Sequence, residues 1–535
     1  MRDIAVEVAG SWAHANLALR RESLREAVEW VGLPLTDEAF VEFEDVATRL
    51  LAEMNAAVRR ILPEAGELAS ERNAMAGRTF RIPRAQEDPL NALSHWCGGV
   101  SQPDLAEEGV LSGQRVAVKD LIAVAGVPLL AGSDVLEGFV PTVDAVVVDR
   151  IIQAGGEIVA TTNMDYLALS GGGDTSALGP TLNPFDRSRS TAGSSGGSAA
   201  ALFYPQIDLT LGCDQGGSVR APAAWCGVLG LKPTFGLVPY VGILGLDPTF
   251  DHCGPMARTT EGLARLLQAI AGPDRRDPRQ VGTTGSSNYL TGLDRPEAMV
   301  RGLRVGVVDE GLSDESGTTA EVAEVVQDTA SRLAKLGAVV RRVSVPGHDL
   351  AGSISNGVLL EGASASFQSG GMPPGYLGAY WDEACVALGR GLTASRGDLS
   401  LQVQMALGLG AYLTHRYRGT SYVVGRAALD VVKSAYDRAL ADHDVLLIPT
   451  VPWPAHEHDP NMGAAERLFR GWALLRHTSP TNATGHPALS MPVGEVNGLP
   501  VGVMAVARPY GENTLLGLAA NYEREFGWRP SAVAQ

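Results

Sequence analysis

Short apolar segments that alternate with helix-like segments constrain the fold of this chain more than any other feature of its sequence. One unit of strand, helix and strand is predicted at residues 115–119, 145–154 and 156–160. A second such unit is predicted at residues 303–308, 319–336 and 338–345. The strand segments are short and rich in valine and isoleucine, as strands buried on both faces are. Because this alternation is typical of sheets covered by helices, we predict an α/β domain with a mixed or parallel sheet.

The C-terminal third continues this pattern. Residues 445–448 predict another buried strand, and Asn497-Gly498 between two apolar runs predicts a hairpin turn. Residues 515–526 predict a closing helix.

The N-terminal region has a different, purely helical pattern. Thr36 can cap a helix whose first turn carries Asp37 and Glu38, and Pro63 is expected to end it. Apolar residues recur at three-to-four spacing and predict one buried stripe, namely Phe43, Val46, Leu50, Met54, Val58 and Ile61. Residues 17–31 are amphipathic as well. We therefore predict a helical extension over residues 1–72, followed by the α/β domain over residues 73–535, and we expect the extension to form a homodimer.

Composition excludes several classes of function. The 535 residues have a net charge of −17 and no dense run of Lys and Arg, which argues against nucleic-acid binding. The longest apolar stretch, residues 405–413, is about half the length of a membrane span, so no membrane association is expected. Five widely spaced cysteines predict neither a disulfide framework nor a zinc site, and favour a reduced, cytoplasmic setting.

Residues 191–220 carry the chemistry in this sequence. They contain two blocks rich in glycine and serine, and the apolar residues 199–211 between the blocks argue against a flexible linker. A serine becomes a nucleophile when a base takes its proton, and Lys119 follows an apolar strand whose burial lowers its pKa. A second serine can pass the proton to a neutral lysine, while glycines let backbone N–H groups approach an oxyanion.

These residues resemble the amidase signature family. The resemblance is carried by Lys119-Asp120, by Gly193-Ser194-Ser195-Gly196-Gly197 and by the run from Asp214 to Arg220. It extends over residues 88–527, including Gly230-Leu231-Lys232-Pro233-Thr234. Gln215 and residues 235–240 look most like the bacterial amidases associated with nitrile hydratases, which also carry a helical N-terminal extension.

The resemblance implies roles for individual residues. Ser218 is expected to be the nucleophile, Ser194 the bridging serine after a cis peptide bond, and Lys119 the base of a Ser-cisSer-Lys triad. The backbone N–H groups of Gln215, Gly216 and Gly217 are expected to form the oxyanion hole. Leu169 and Gly171 lie in a segment that resembles a substrate-binding wall. No metal or other cofactor is implied. The stretch from residue 362 to residue 391 matches nothing in the family.

The resemblance predicts an amidase that hydrolyses a linear small-molecule amide through an acyl-enzyme. An acyltransferase, an amide-forming enzyme, or a hydrazide or carbamate hydrolase remains an alternative on the same site. An amidotransferase subunit is a further alternative, which Gln215 and the extension disfavour.

Other interpretations of individual residues carry less weight. Gly193, Ser195 and Gly197 also fit the nucleophile elbow of α/β-hydrolases, but the preceding residues are polar and turn-like. His456 and His458 fit a surface loop better than a metal site. Asp214 and Arg220 are expected to form a buried ion pair that shapes the loop.

Overall fold

The computed structural model describes all residues except 1–18, 33, 70–76, 102–108, 283–286, 292, 295, 372, 374, 380, 396–398 and 529–535. The strands of the described residues are β1 (Thr79–Arg81), β2 (Leu93–Gly98), β3 (Arg115–Lys119), β4 (Glu157–Thr162), β5 (Leu209–Asp214), β6 (Leu229–Lys232), β7 (His252–Ala257), β8 (Arg304–Val308), β9 (Val339–Val343), β10 (Val445–Pro449), β11 (Ala488–Val496) and β12 (Leu499–Val506). They form one sheet in the order β1-β2-β4-β3-β5-β7-β6-β11-β12-β10-β8-β9.

The sheet is mixed, which confirms the predicted α/β class. Strand β3 pairs in parallel with β4 and β5, and β8 pairs in parallel with β9 and β10. The remaining neighbours pair antiparallel. Val496 pairs with Leu499 across the predicted hairpin, where Asn497 and Gly498 both have positive φ as a type I′ turn requires.

Helices cover the sheet and form the N-terminal extension. They are α1 (Arg21–Val31), α2 (Asp37–Ala69), α3 (Val146–Gln153), α4 (Gly196–Ala201), α5 (Arg220–Trp225), α6 (Thr260–Ile270), α7 (Pro296–Val300), α8 (Ala320–Lys335), α9 (His348–Gln368), α10 (Asp382–Ala394), α11 (Leu401–Tyr417), α12 (Thr420–Asp442), α13 (Ala464–Leu474), α14 (Ser479–Thr484) and α15 (Glu512–Phe526). No helix among the described residues is long and apolar enough to cross a membrane.

Two expectations for α2 are wrong. The helix continues past Pro63 to Ala69, although an interior proline removes one backbone hydrogen bond and costs a helix about 3 kcal/mol. The apolar stripe that begins at Phe43 is not buried within this chain, because Val46 and Leu50 remain 61% and 54% exposed. The buried side of α2 is a neighbouring face that includes Phe40 and Asn55. The side chain of Ile61 and the predicted boundary at residue 72 lie outside the described residues.

Side-chain alternation on β3 places Lys119 on one particular face of the sheet. Ala117 packs with Ala200 and Ala201 of α4, whereas Val116 and Val118 join the core on the opposite face. Because successive side chains on a strand point to opposite faces, Lys119 lies on the same face as Ala117. This face is covered by α4, which Ser194 precedes by two residues.

A buried ion pair fixes the loop between β5 and α5. Arg220 Nη2 lies 2.9 Å from Asp214 Oδ1, Arg220 Nε donates to Asp214 Oδ2 at 3.0 Å, and both side chains are fully buried. Asn482 Nδ2 donates to Asp214 Oδ1 at 2.8 Å. Burial acts to raise the pKa of Asp214, but the Arg220 guanidinium and the Asn482 amide bring it well below its usual value. The predicted ion pair is confirmed, and it brackets residues 215–219.

We expect Arg220→Met to lower the free energy of unfolding by about 3–5 kcal/mol, because it leaves the Asp214 carboxylate buried without its cation. Urea-induced unfolding followed by circular dichroism measures this loss. Arg265→Met is the control, since Arg265 pairs with Glu261 at the surface and its loss should cost less than about 1 kcal/mol. Equal losses in the two variants would contradict the structural role of the buried pair.

Candidate active site

Lys119 and Ser194 form a buried contact at the end of β3. Lys119 Nζ donates to Ser194 Oγ at 2.6 Å, and both residues are fully buried. The peptide bond between Gly193 and Ser194 is cis, as the resemblance implies. Two residues that are distant in the sequence are therefore brought into hydrogen-bond contact.

Ser218 lies on the loop between β5 and α5, next to the segment that carries Ser194. Its carbonyl oxygen accepts a hydrogen bond from Ser195 N at 3.3 Å, which ties the loop to the segment that carries Ser194. Ser218 is 3% exposed and lines a pocket. Of the three residues of the expected triad, it is the one that lines this pocket.

Burial governs the protonation of Lys119. It lowers the pKa of the amine from 10.5 to about 8, in the direction that the apolar neighbours on β3 predict. The nearby Cys213, Asp165, Asp214 and Cys253 act in the opposite direction but do not outweigh burial. A neutral amine that can accept a proton is therefore well populated in mildly alkaline solution.

Asp120 does not offset this effect. Its Oδ2 accepts hydrogen bonds from Ser94 Oγ at 2.9 Å and from Leu130 N at 3.2 Å, away from the lysine amine. Burial raises the pKa of Asp120 to about 8, so this carboxyl is mostly uncharged at neutral pH. These contacts direct the Asp120 carboxyl away from Lys119.

The expected oxyanion hole lies on the same loop as Ser218. No described residue accepts a hydrogen bond from the backbone N–H of Gln215, Gly216 or Gly217. Thr478 Oγ1 donates to Gly216 O at 2.7 Å. Since the C=O and N–H of a trans peptide point in opposite directions, this contact turns the N–H of Gly217 away from Thr478. A Cβ at residue 217 would collide with the Thr478 side chain, so only glycine fits there.

The pocket beside Ser218 is mostly apolar. Leu169 and Gly171 line it, as the resemblance implies. The other lining residues are Ala168, Ser170, Gln215, Gly216, Leu246, Asn356, Leu359, Leu360, Ala363, Trp472 and Leu475. None of the described lining residues carries a charge. Four of them, Asn356, Leu359, Leu360 and Ala363, belong to α9, and sequence reasoning missed their part in the site.

Two more residues near the triad were missed. Asp165 donates its backbone N–H to Ser194 O at 3.1 Å, and Thr478 holds the loop of the expected oxyanion hole through Gly216 O. An acidic residue three positions after the end of β4 was the available signal for Asp165. No signal near Thr478 in the sequence pointed to the site.

The less favoured interpretations find no geometric support. Residues 191–193, which precede Ser194 and Ser195, are not a strand, and Ser195 Oγ donates to Cys213 O at 3.1 Å, so Ser195 does not form a nucleophile elbow. His456 packs edge-on against Trp225 with ring centroids 4.9 Å apart. Among the described residues, no group of His, Cys, Asp and Glu side chains is arranged to hold a metal ion.

Comparison with known proteins assigns the chain to a family. The family model described as Amidase matches residues 100–516. An enantioselective amidase of Rhodococcus rhodochrous is 35% identical over 85% of this chain and 86% of its own length. A glutamyl-tRNA(Gln) amidotransferase subunit of Halobacterium salinarum is 36% identical over 78% of this chain and 97% of its own length. The structure of native peptide amidase from Stenotrophomonas maltophilia has a TM-score of 0.65 at 29% identity, covering 80% of this chain and 85% of that chain.

The match of the family model spans β3, the loop of Ser194 and the loop of Ser218, so it includes every element that builds the site. This protein belongs to the amidase signature family.

Proposed function

We propose that this protein hydrolyses a neutral small-molecule amide to a carboxylic acid and ammonia or an amine, with Ser218 as the nucleophile. The observation that carries the proposal is the buried contact of 2.6 Å between Lys119 Nζ and Ser194 Oγ, beside a serine that lines a pocket. A buried lysine with a lowered pKa is a base that a serine relay requires.

The proposed reaction proceeds in two stages. Ser218 Oγ attacks the amide carbon while its proton passes to Ser194 and the Ser194 proton passes to Lys119. The backbone N–H groups of residues 215–217 hold the oxyanion. When the tetrahedral intermediate collapses, the relay returns a proton to the departing nitrogen and leaves an acyl group on Ser218. Water then attacks the acyl-enzyme by the same relay, so protein groups and water perform each step.

The lining of the pocket supports a neutral, largely apolar acyl group as the substrate class. Leu359, Leu360 and Trp472 offer apolar surface, and the described lining contains no group to neutralise a charged substrate. Burying an unpaired charge is costly, so a substrate with a charged ammonium or carboxylate near the amide would bind poorly.

An amidotransferase subunit is the second candidate function. It is favoured by relatives such as the Halobacterium salinarum protein, of which this chain covers 97%. Such a subunit would work in a complex and on an amide donor other than an apolar amide. Acyl transfer to an amine and hydrolysis of hydrazides or carbamates use the same acyl-enzyme. The partition of acyl groups between hydroxylamine and water distinguishes transfer from hydrolysis.

We expect ammonia release from benzamide and from short aliphatic amides to exceed release from glutamine, a zwitterionic amide, because the pocket offers no counter-charge. Ser218→Ala should lower kcat by at least about 10³-fold on each amide that is hydrolysed. A fluorophosphonate adduct located on Ser218 by mass spectrometry would support its role. Preference for glutamine, or partner proteins that co-purify with the chain, would favour the amidotransferase instead.

The pH dependence of activity tests Lys119 as the base. Since the free enzyme needs a neutral amine, kcat/KM should fall as the pH decreases through about 8, the pKa of Lys119, and should reach a plateau above it. Lys119→Ala should lose most activity together with this acid limb. Lys119→Arg should not restore activity, because a guanidinium stays protonated in this range. Full activity in Lys119→Arg would contradict the relay.

We propose that the N-terminal extension joins two copies of the chain. The apolar stripe on α2 that includes Val46 and Leu50 is exposed in one chain, and covering it would remove apolar surface from water. Light scattering should give a mass near twice 56.1 kDa. Val46→Glu should favour the monomer, whereas Ala52→Glu, at an exposed position on a different side of α2, should not. A monomer at micromolar concentration would contradict this proposal.

A further inference from the structure

Asp165 lies where the bridging serine meets the wall of the pocket. Its backbone N–H donates to Ser194 O at 3.1 Å, and its side chain is packed against Gly193 so closely that a Cβ at residue 193 would overlap the carboxylate. The position of Asp165 thus explains why residue 193 is a glycine, and it fixes one side of the cis peptide segment.

The Asp165 carboxylate also holds the glycine-rich wall. Its Oδ2 accepts a hydrogen bond from Gly173 N at 2.9 Å, and its Oδ1 accepts two from the backbone N and the Oγ1 of Thr175, both at 2.9 Å. Gly193 N in turn donates to the carbonyl of Gly171, a residue that lines the pocket. The backbone and side chain of Asp165 together therefore hold Ser194 and the glycine-rich segment that continues from the pocket-lining Gly171.

Asp165 differs from the other acidic residue that influences Lys119. Asp214 forms its ion pair with Arg220, whereas no described Arg, Lys or His forms an ion pair with Asp165. The remaining groups that face Lys119 are the thiols of Cys213 and Cys253. Burial raises the pKa of Asp165 to about 6, which the nearby Asp174 reinforces and the hydrogen bonds limit. Asp165 is therefore still ionised at the pH at which Lys119 becomes neutral.

We propose that Asp165 is a positioning residue of the proton relay, which holds Ser194 in place and stabilises the ammonium that forms when Lys119 takes the proton. The proposal rests on the proposed role of Lys119 as the base. During attack by Ser218 the positive charge develops on a buried amine, and a nearby carboxylate without a cation of its own lowers the free energy of that charged state.

The test is the pH profile of kcat/KM for Asp165→Asn with an amide that the wild type hydrolyses. Without the negative charge, Lys119 loses its proton more readily, so the acid limb should move to lower pH by about one unit. On the plateau, kcat should nevertheless fall by about tenfold or more, since the ammonium formed in the reaction is less stabilised. A purely structural defect would lower kcat and leave the limb in place.

Asp120→Asn is the matched control, because Asp120 is also buried beside Lys119 and has a pKa of about 8, yet does not face the amine. Its acid limb should stay where it is in the wild type. Asp165→Ser replaces Asp165→Asn if circular dichroism shows that the asparagine variant is unfolded. The proposal would be overturned if a folded variant without the Asp165 charge kept the acid limb at the wild-type pH. It would also be overturned if Asp120→Asn shifted the limb by an equal amount. If the Asp165 proposal fails, loss of the acid limb in Lys119→Ala would still support Lys119 as the base. If the wild type hydrolyses no amide, the proposed function itself is overturned.

Discussion

The removal of the Lys119 amine from water is the physical constraint on which the site depends. Lowering its pKa from 10.5 to about 8 shifts the protonation equilibrium by about 3 kcal/mol toward the neutral form, relative to a lysine in water. This shift requires that β3 remain between β4 and β5 and that α4 cover the lysine, since water at the amine would restore the ammonium. The wide sheet is thus the element that keeps the lysine buried and its pKa low.

Three carboxyl groups near this lysine are kept in different states by their surroundings. Asp214 is ionised and neutralised by Arg220, so it shapes the loop that carries Ser218. Asp120 is mostly protonated at neutral pH, because burial outweighs its hydrogen bonds. Asp165 is ionised in the range where the enzyme is expected to work, with hydrogen bonds but no cation among the described residues. The burial and partners of each group therefore decide its charge, although all three lie in one region of the fold.

Local sequence determined what could be predicted. The bounds of β3 and of the hairpin at Asn497 follow from β-branched runs and turn residues, and these predictions are confirmed. The apolar periodicity of α2 correctly predicts a helix, but it does not reveal what covers Val46, because that depends on contacts outside the local sequence. The role of α9 could not be predicted either, since its buried residues are spread around the helix and its contact with the pocket is non-local.

Relatives at similar identity can carry different names because the segments that identify the family are short and local, whereas part of the pocket lining comes from distant parts of the sequence. Lys119, Ser194 and Ser218 come from segments that are recognisable by themselves, so the family is easy to detect. Part of the pocket lining comes from α9 and from Trp472 and Leu475, which lie more than a hundred residues from Ser218 in the sequence. Overall identity to an amidase and to an amidotransferase therefore reports mainly the shared fold and family. Because a pocket discriminates substrates by the charges it can neutralise, the uncharged lining contributed by α9 is a more direct guide to the substrate than identity.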